Sequence, residues 1–167
     1  MSDFTYSTAT EQLQRLRDGE VSSTQLLEQH IARVHAHDDR INAVVVRTFE
    51  AARQRAAAAD AARQRGKDWG PLHGLPMTVK ESFDLPGTPT CWGFPEYKDN
   101  IAQQPAVAVQ RLLDAGAVIF GKSNVPTFSG DFRTENPVYG RTLHPLDHAR
   151  SPGGSSGEAA SQGARPW

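Results

Sequence analysis

Apolar residues recur at helical spacing through the first third of the chain. Thr8 and Glu11 have capping-box spacing, and the short helix that they begin is expected to end at Gly19. Ser23 is expected to cap a second helix, which has a continuous apolar face. That face consists of Leu26, Leu27, Ile31 and Val34. The opening of the chain therefore predicts two amphipathic helices.

The next stretch predicts a short strand and a third helix. Asn42 to Val46 is a short apolar run, and Phe49 to Arg65 is an alanine-rich segment closed by Gly66. The region also contains His30, His35 and His37. We expect these three on polar helix faces rather than as metal ligands. Residues 1–66 are thus expected to form a helical layer.

Beyond residue 66 the pattern becomes that of alternating strands and helices. The apolar run Met77–Val79 is followed directly by Lys80, and Pro105 opens a helix that Gly116 ends. Ala117–Phe120 is a continuous apolar run, which is typical of a strand buried on both faces. Strand, helix and strand in this order predict a parallel pair within an α/β sheet.

Composition limits the possible functions. The 167 residues suffice for one domain with a hydrophobic core. With 18 lysines and arginines against 19 acidic residues, the charge gives no reason to expect a nucleic acid or a membrane as a partner. The single cysteine, Cys91, excludes an internal disulfide and suits a reducing compartment. The chain begins without the features of a signal peptide, so we expect a cytoplasmic protein.

Two short motifs suggest ligands that the local sequence argues against. Gly116–Ser123 matches the G-x-x-x-x-G-K-S phosphate-loop pattern, but its middle residues form an apolar strand rather than a flexible loop. His144, Asp147 and His148 could supply metal ligands, but Pro145 prevents the helix that a zinc-binding histidine pair would use. We therefore expect neither a nucleotide nor a metal nor any other cofactor.

A glycine- and serine-rich segment, Ser151–Gly157, is the strongest candidate for chemistry. It could be a flexible linker. It is short, however, begins with a serine and a proline, and follows an ordered-looking loop at Asn136–Asp147. Glycines beside a serine pair remove side-chain bulk and let hydroxyls and backbone amides approach a substrate carbonyl. The segment thus indicates a catalytic loop.

Lys80 strengthens that interpretation. A lysine at the end of an apolar strand often extends its ammonium group into water. If the amine is desolvated instead, the neutral form is favoured and can act as a general base. Together with the serine pair, Lys80 suggests a serine nucleophile activated by lysine rather than by histidine.

Four segments, in this order, resemble successive landmarks of the amidase signature family. They are Gly74–Glu81, Gly121–Pro126, Asn136–Thr142 and Ser151–Gly157. The resemblance implies an α/β/α sandwich around a mixed sheet, preceded by N-terminal helices. It also implies hydrolysis of a small-molecule amide by a serine–serine–lysine triad, without a cofactor.

The resemblance assigns roles to particular residues. Lys80 corresponds to the base, and Ser155 corresponds to the bridging serine that follows a cis peptide bond at Gly154–Ser155. Ser129 falls where the family places a residue that contacts substrate. Ser156 lies beside the triad and is expected to support it by hydrogen bonding.

The resemblance ends at Gly157. We expect residues 1–167 to be the N-terminal part of a single amidase domain, with a helical layer at 1–66, an α/β portion at 67–157 and an aberrant tail at 158–167. No later stretch matches the loop of the nucleophilic serine, as a frameshift or a premature stop would explain. We therefore expect no activity from this chain alone. We also expect an open, aggregation-prone strand edge at Val118–Phe120.

Two other functions stay open from the sequence. The same fold could serve as the amide-transferring subunit of a glutamyl-tRNA amidotransferase. The chain could also be a non-catalytic interaction module that uses its N-terminal helices on a partner. A homodimer is left open for the full-length protein.

Overall fold

The first helix begins and ends as its sequence predicts. The computed structural model describes Phe4 and residues 6–155. Helix α1 spans Ala9–Asp18 and carries both hydrogen bonds of the capping box at its N-terminal end. Gly19 ends it in the left-handed conformation, with φ 73°. Glycine adopts this conformation without the steric cost that a side chain would bring.

The second helix begins one residue earlier than expected. Helix α2 spans Ser23–Ile41, and its N-cap is Ser22, whose Oγ accepts the backbone N–H of Gln25. The prediction that Ser23 is the cap is wrong. Its hydroxyl instead donates to the carbonyl of Gly74 at 2.7 Å, which ties the start of α2 to the segment before Lys80.

As far as Ser123, the remaining elements follow the predicted alternation with small differences in their bounds. The two short strands that come later lie in or beside a stretch that the sequence predicts to be a loop. The helices are α3 at Phe49–Gln64 and α4 at Val107–Asp114. The strands are β1 at Val44–Arg47, β2 at Pro76–Lys80, β3 at Val118–Ser123, β4 at Glu135–Asn136 and β5 at Gly140–Arg141. Single 3₁₀ turns occur at Pro95–Tyr97 and Thr127–Ser129.

The main sheet has three strands in the order β1-β3-β2. Strands β2 and β3 are parallel, as predicted, and β1 pairs with β3 antiparallel, so the sheet is mixed. The predicted open edge at Val118–Phe120 is wrong, because β3 is the central strand and is paired on both sides. Gly121 permits this pairing, since a Cβ there would lie 2.7 Å from both Val44 Cγ1 and the Val46 carbonyl oxygen.

Helices cover both faces of the sheet. Apolar residues of α2 and α3 pack against Val118 and Phe120 of β3 on one face. On the other face, Val109 of α4 packs against Val79 and Ile119. This arrangement is the α/β/α sandwich with a mixed sheet that the resemblance implies, and the fold class is confirmed.

The phosphate-loop match and His30, both considered as possible ligand sites, are parts of the packed fold. Most of the phosphate-loop match is strand β3 itself, and no helix starts at Lys122. His30 is not a polar-face residue, because its ring stacks on Phe120 at 5.9 Å between centroids. Within the described residues, no group of three or more histidine, cysteine or acidic side chains could hold a metal ion. In the same residues, no helix is long and apolar enough to cross a bilayer.

Candidate active site

Lys80 and Ser155 meet although they lie far apart in the sequence. The Nζ of Lys80 donates to the Oγ of Ser155 at 2.8 Å, across 75 positions. Lys80 is the last residue of β2 and is half-buried. Its backbone pairs with Ser123 of the central strand, so the lysine projects from a rigid base. The Lys80 amine is thus held at hydrogen-bonding distance from the Ser155 hydroxyl.

Ser155 is positioned by a loop that packs tightly against a neighbouring turn. The peptide bond between Gly154 and Ser155 is cis. A Cβ on Gly154 would lie 2.5 Å from the carbonyl oxygen of Asp131 and 2.7 Å from the Cα of Phe132. Such contacts are closer than any side chain tolerates, so only glycine lets the loop approach this turn.

Thr134 connects the same loop to the body of the protein. Its side chain is buried, and its Oγ1 donates to the carbonyl of Gly153 at 2.8 Å. Its backbone N–H donates to the Oγ of Ser151 at 3.2 Å. One threonine therefore holds the loop at two points within four residues of Ser155.

Buried amide side chains extend this support to the end of the central strand. Asn136 donates from Nδ2 to the Oδ1 of Asn124 and to the carbonyl of Val125. Its Oδ1 accepts the backbone N–H groups of Val138 and Tyr139. Asn136 uses both its donor and acceptor capacity, and the segment before the Ser151–Ser155 loop is fixed on the residues that follow β3.

Two fully buried charged residues are neighbours of Lys80: Glu81 follows it in the sequence, and Lys122 lies on the adjacent strand β3. Glu81 accepts hydrogen bonds from the backbone N–H groups of Cys91 and Trp92 and from the Tyr139 hydroxyl. Lys122 donates to the carbonyl of Pro89 and to the Oγ1 of Thr90. Sequence reasoning missed both residues as parts of the site. The unusual placement of charged residues beside an apolar strand was the available signal.

Burial changes the proton affinities of this cluster. Desolvation lowers the pKa of Lys122 to about 8, although nearby Glu81, Asp84 and Cys91 oppose the shift. The pKa of Tyr139 is raised well above its usual value, first by burial and then by the hydrogen bond with Cys91 and the proximity of Glu81. Burial also raises the pKa of the Cys91 thiol.

The other predicted site residues are not joined to the Lys80–Ser155 pair by the described contacts. Ser129 lies in the turn that precedes Asp131, with φ 57°, and its backbone N–H donates to the carbonyl of Pro126. Ser156 lies outside the described residues. His144 and Asp147 form an isolated β-bridge in a surface loop.

Comparison with known proteins identifies the family. A lysine and a serine brought together at the end of a parallel strand pair, in an α/β/α sandwich, define this chain as part of an amidase-type fold. Residues 25–165 match the Amidase family. The chain belongs to the amidase family.

Two named relatives are much longer than this chain. The chain is 43% identical over 146 residues to an indoleacetamide hydrolase of Bradyrhizobium diazoefficiens, a match that covers 87% of this chain and 28% of the relative. It is 38% identical over 157 residues to one of the subunits of the glutamyl-tRNA(Gln) amidotransferase of Streptomyces coelicolor, which covers 94% of this chain and 32% of that protein. The chain thus spans about a third of these relatives.

A solved structure shows the same fold. A bacterial aryl acylamidase of the amidase signature family superposes with a TM-score of 0.87 at 26% identity. The match covers 93% of this chain and 33% of that chain. The three-layer arrangement described above is therefore shared with about a third of that enzyme.

Proposed function

We propose that this chain carries the base half of an amide-hydrolysing site, in which Lys80 and Ser155 relay protons for a nucleophilic serine. The observation that carries the proposal is the 2.8 Å hydrogen bond between Lys80 Nζ and Ser155 Oγ. Direct proton transfer requires heavy atoms within roughly 2.6–3.2 Å of each other, and this pair meets that condition.

The chemistry follows from the donor and acceptor capacities of the two groups. Lys80, as a neutral amine, takes the proton of the Ser155 hydroxyl. Ser155 takes the proton of the nucleophilic serine while that serine attacks the substrate carbonyl. The proton returns along the same path to the departing amine, the carbon–nitrogen bond breaks, and an ester to the serine is left. Water then hydrolyses the ester and releases the acid.

The nucleophilic serine has no counterpart in the 167 residues. By the family resemblance it belongs to a later glycine-rich loop, and no stretch after Gly157 matches that loop. We therefore propose that these residues alone do not turn over an amide. Turnover of a simple aryl amide that Lys80→Ala abolishes would contradict this part of the proposal.

The base role of Lys80 can be tested without turnover. The chain contains four lysines, of which Lys67 and Lys98 are exposed and serve as internal references. In a ¹³C-labelled sample, we expect the Lys80 ε-carbon to titrate at lower pH than those of Lys67 and Lys98. We expect Ser155→Ala to change the Lys80 titration and to leave the two references unchanged. A Lys80 signal that titrates together with the references would overturn the base role.

The relative that belongs to a glutamyl-tRNA(Gln) amidotransferase favours a second candidate function. In that case the same proton relay would serve amide transfer within a multi-subunit complex. Purification of the tagged chain from its own cells tests this candidate, because a component of such a complex retains stoichiometric partner chains through gel filtration. A chain that elutes without partners supports the stand-alone amidase.

A further inference from the structure

Two buried charged residues, Glu81 and Lys122, bind the same short segment, Pro89–Trp92. Glu81 and Lys122 are both 0% exposed. Lys122 binds the carbonyl of Pro89 and the hydroxyl of Thr90, while Glu81 binds the backbone N–H groups of the next two residues at 2.7 and 3.0 Å. Each residue of the segment Pro89–Trp92 is therefore bound to one of the two charged side chains.

Burying Glu81 and Lys122 costs more free energy of desolvation than filling the same space with apolar side chains. Burying a charge costs several kcal/mol, and well-packed apolar side chains are often as stable or more stable. A buried pair of charges therefore needs another reason, and here the charges select one geometry for the segment that they bind. The described side chains that influence Lys122 electrostatically are Glu81, Asp84 and Cys91.

The segment ends in a residue with a strained backbone. Trp92 has φ 55°, a left-handed conformation that a bulky residue rarely adopts. Its N–H is bound by Glu81, and its carbonyl accepts the N–H of Phe128 at 2.9 Å. Phe128 and Ser129 are also left-handed, with φ 52° and 57°. Such strain persists only where the surroundings over-determine it, and it clusters at functional sites.

The strained residues are connected to the two elements that support the proposed proton relay. The backbone N–H of Trp92 donates to the side chain of Glu81, the residue that follows Lys80. The turn that contains Phe128 continues to the Asp131–Phe132 backbone, against which Gly154 packs. The Trp92 side chain is 42% exposed and that of Phe128 is 57% exposed. Each of the two elements that support the Lys80–Ser155 pair is thus connected, through backbone hydrogen bonds or chain continuity, to a left-handed aromatic residue.

We propose that Glu81 and Lys122 are positioning residues, which fix the segment Pro89–Trp92 and the backbone of Lys80 so that Lys80 and Trp92 keep their relative places at the site. The link to Lys80 is direct, because the N–H of Glu81 donates to the Ser123 carbonyl at 3.0 Å in continuation of strand β2. The proposal rests on the proposed function of Lys80, but its first measurement does not depend on that function.

The test uses Glu81→Gln, which keeps the side-chain shape and replaces one acceptor oxygen by a donor NH₂ group. Glu50→Gln, on the exposed face of α3, is the matched control. Amide hydrogen exchange is followed by NMR on the full chain. We expect the Cys91 or Trp92 amide to exchange at least about tenfold faster in Glu81→Gln, because one of them loses its acceptor, while amides of α2 and α3 keep their wild-type rates.

The second measurement asks whether the segment affects Lys80. We expect Glu81→Gln to move the Lys80 ε-carbon titration toward those of Lys67 and Lys98, and we expect Glu50→Gln to leave it unchanged. Thr90→Val, which removes one acceptor of Lys122 without touching β2, is the milder variant if Glu81→Gln does not fold. It is expected to speed exchange at Cys91 or Trp92 in the same way.

The outcomes separate the two proposals. Unchanged exchange at Cys91 and Trp92 in both variants, or exchange that rises equally in α2 and α3, overturns the positioning role. A released Trp92 amide with an unchanged, low-pH Lys80 titration also overturns it. If wild-type Lys80 titrates with the reference lysines, the proposed base function fails, and the exchange result still decides whether the segment is held by these charges.

Discussion

The hydroxyl of Thr134 donates to the carbonyl of Gly153 at 2.8 Å, two residues before Ser155. Thr134 is fully buried and lies just before the short strand β4, which starts at Glu135. The backbone N–H of Thr134 reaches the same loop at Ser151 Oγ. The position of Ser155 thus depends on a residue that has no chemical role of its own.

Thr134→Val is expected to weaken the loop without changing its volume much. The variant removes the shorter of two hydrogen bonds to the partly buried Gly153 carbonyl and leaves the one from Ser151 Oγ at 3.3 Å, so the expected cost is about 0.5–1.5 kcal/mol. With the loop loosened, we expect the Lys80 ε-carbon to titrate closer to the exposed lysines. Urea unfolding and the lysine titration measure the two effects. Thr10→Val, at an exposed position in α1, should change stability by less than about 0.5 kcal/mol. Equal losses in the two variants would contradict the role of Thr134.

Gly154→Ala is expected to disrupt the Lys80–Ser155 contact. The new methyl group would lie 2.5 Å from the Asp131 carbonyl oxygen, so either the loop or the turn must move. Overpacking of this kind typically costs about 1–3 kcal/mol. Gly130→Ala is the control from the same turn, because its Cβ would meet its neighbour at an ordinary 3.5 Å and its φ is negative. A Gly154→Ala chain as stable as Gly130→Ala, with the wild-type Lys80 titration, would show that the loop tolerates the methyl group.

Local signals in the sequence predict much of this fold. The Thr8 capping box requires only two residues three positions apart, and both hydrogen bonds form. The continuous apolar run at Ala117–Phe120 correctly predicts a strand covered on both faces, which the helices on the two sides of the sheet provide. These features depend on periodicity and on neighbouring residues, and the sequence displays both.

Features set by distant contacts could not be predicted in the same way. Ser22 and Ser23 are both suitable caps by residue type, and only Ser22 has a glutamine three positions on, so its capping box with Gln25 was a local signal for the cap. The bond from Ser23 to Gly74, 51 positions away, had no such signal. The buried hydrogen bond from Lys122 to the Thr90 hydroxyl spans 32 positions, and no local pattern predicts it. The loop position of Ser155 needs the close approach of Gly154 to Asp131, which only three-dimensional packing reveals.

The stability contributed by Lys122 is expected to rise with pH. Burial lowers its pKa to about 8 in the folded chain, from an ordinary value of 10.5. Between these values the unfolded chain binds a proton that the folded chain has released, so the free energy of unfolding increases with pH. Relative to Lys122→Met, the wild type should gain about 1 kcal/mol between about pH 7 and pH 9.

Urea unfolding of the wild type and Lys122→Met at several pH values in this window measures the difference. The Cys91 thiol, whose pKa burial raises, is present in both chains, so the part of its contribution that does not depend on Lys122 cancels. Lys98→Met, at an exposed lysine, is the control for the loss of a lysine side chain. A Lys122→Met difference that is constant across the window would mean that Lys122 titrates near the usual range of lysines.

Asn136→Asp is expected to be among the most damaging isosteric changes in the chain. The side chain keeps an acceptor for Val138 and Tyr139 but loses the NH₂ group that donates to Asn124 Oδ1 at 2.8 Å and to the Val125 carbonyl at 2.7 Å. An oxygen facing two buried acceptors leaves a charge uncompensated, which costs about 3–5 kcal/mol.

The control for this change is Asn100→Asp. Asn100 is itself exposed and makes a single side-chain donation, to the carbonyl of the buried Thr90 at 2.9 Å, against the two donations of the buried Asn136, so the expected cost is smaller. Urea unfolding near neutral pH compares the two variants. Acidification should partly restore the stability of Asn136→Asp, because the protonated carboxyl group can donate one hydrogen bond again. A similar small loss in both variants would mean that the segment before the Ser151–Ser155 loop is not held by Asn136, and the support inferred for Ser155 would then rest on Thr134 and Gly154.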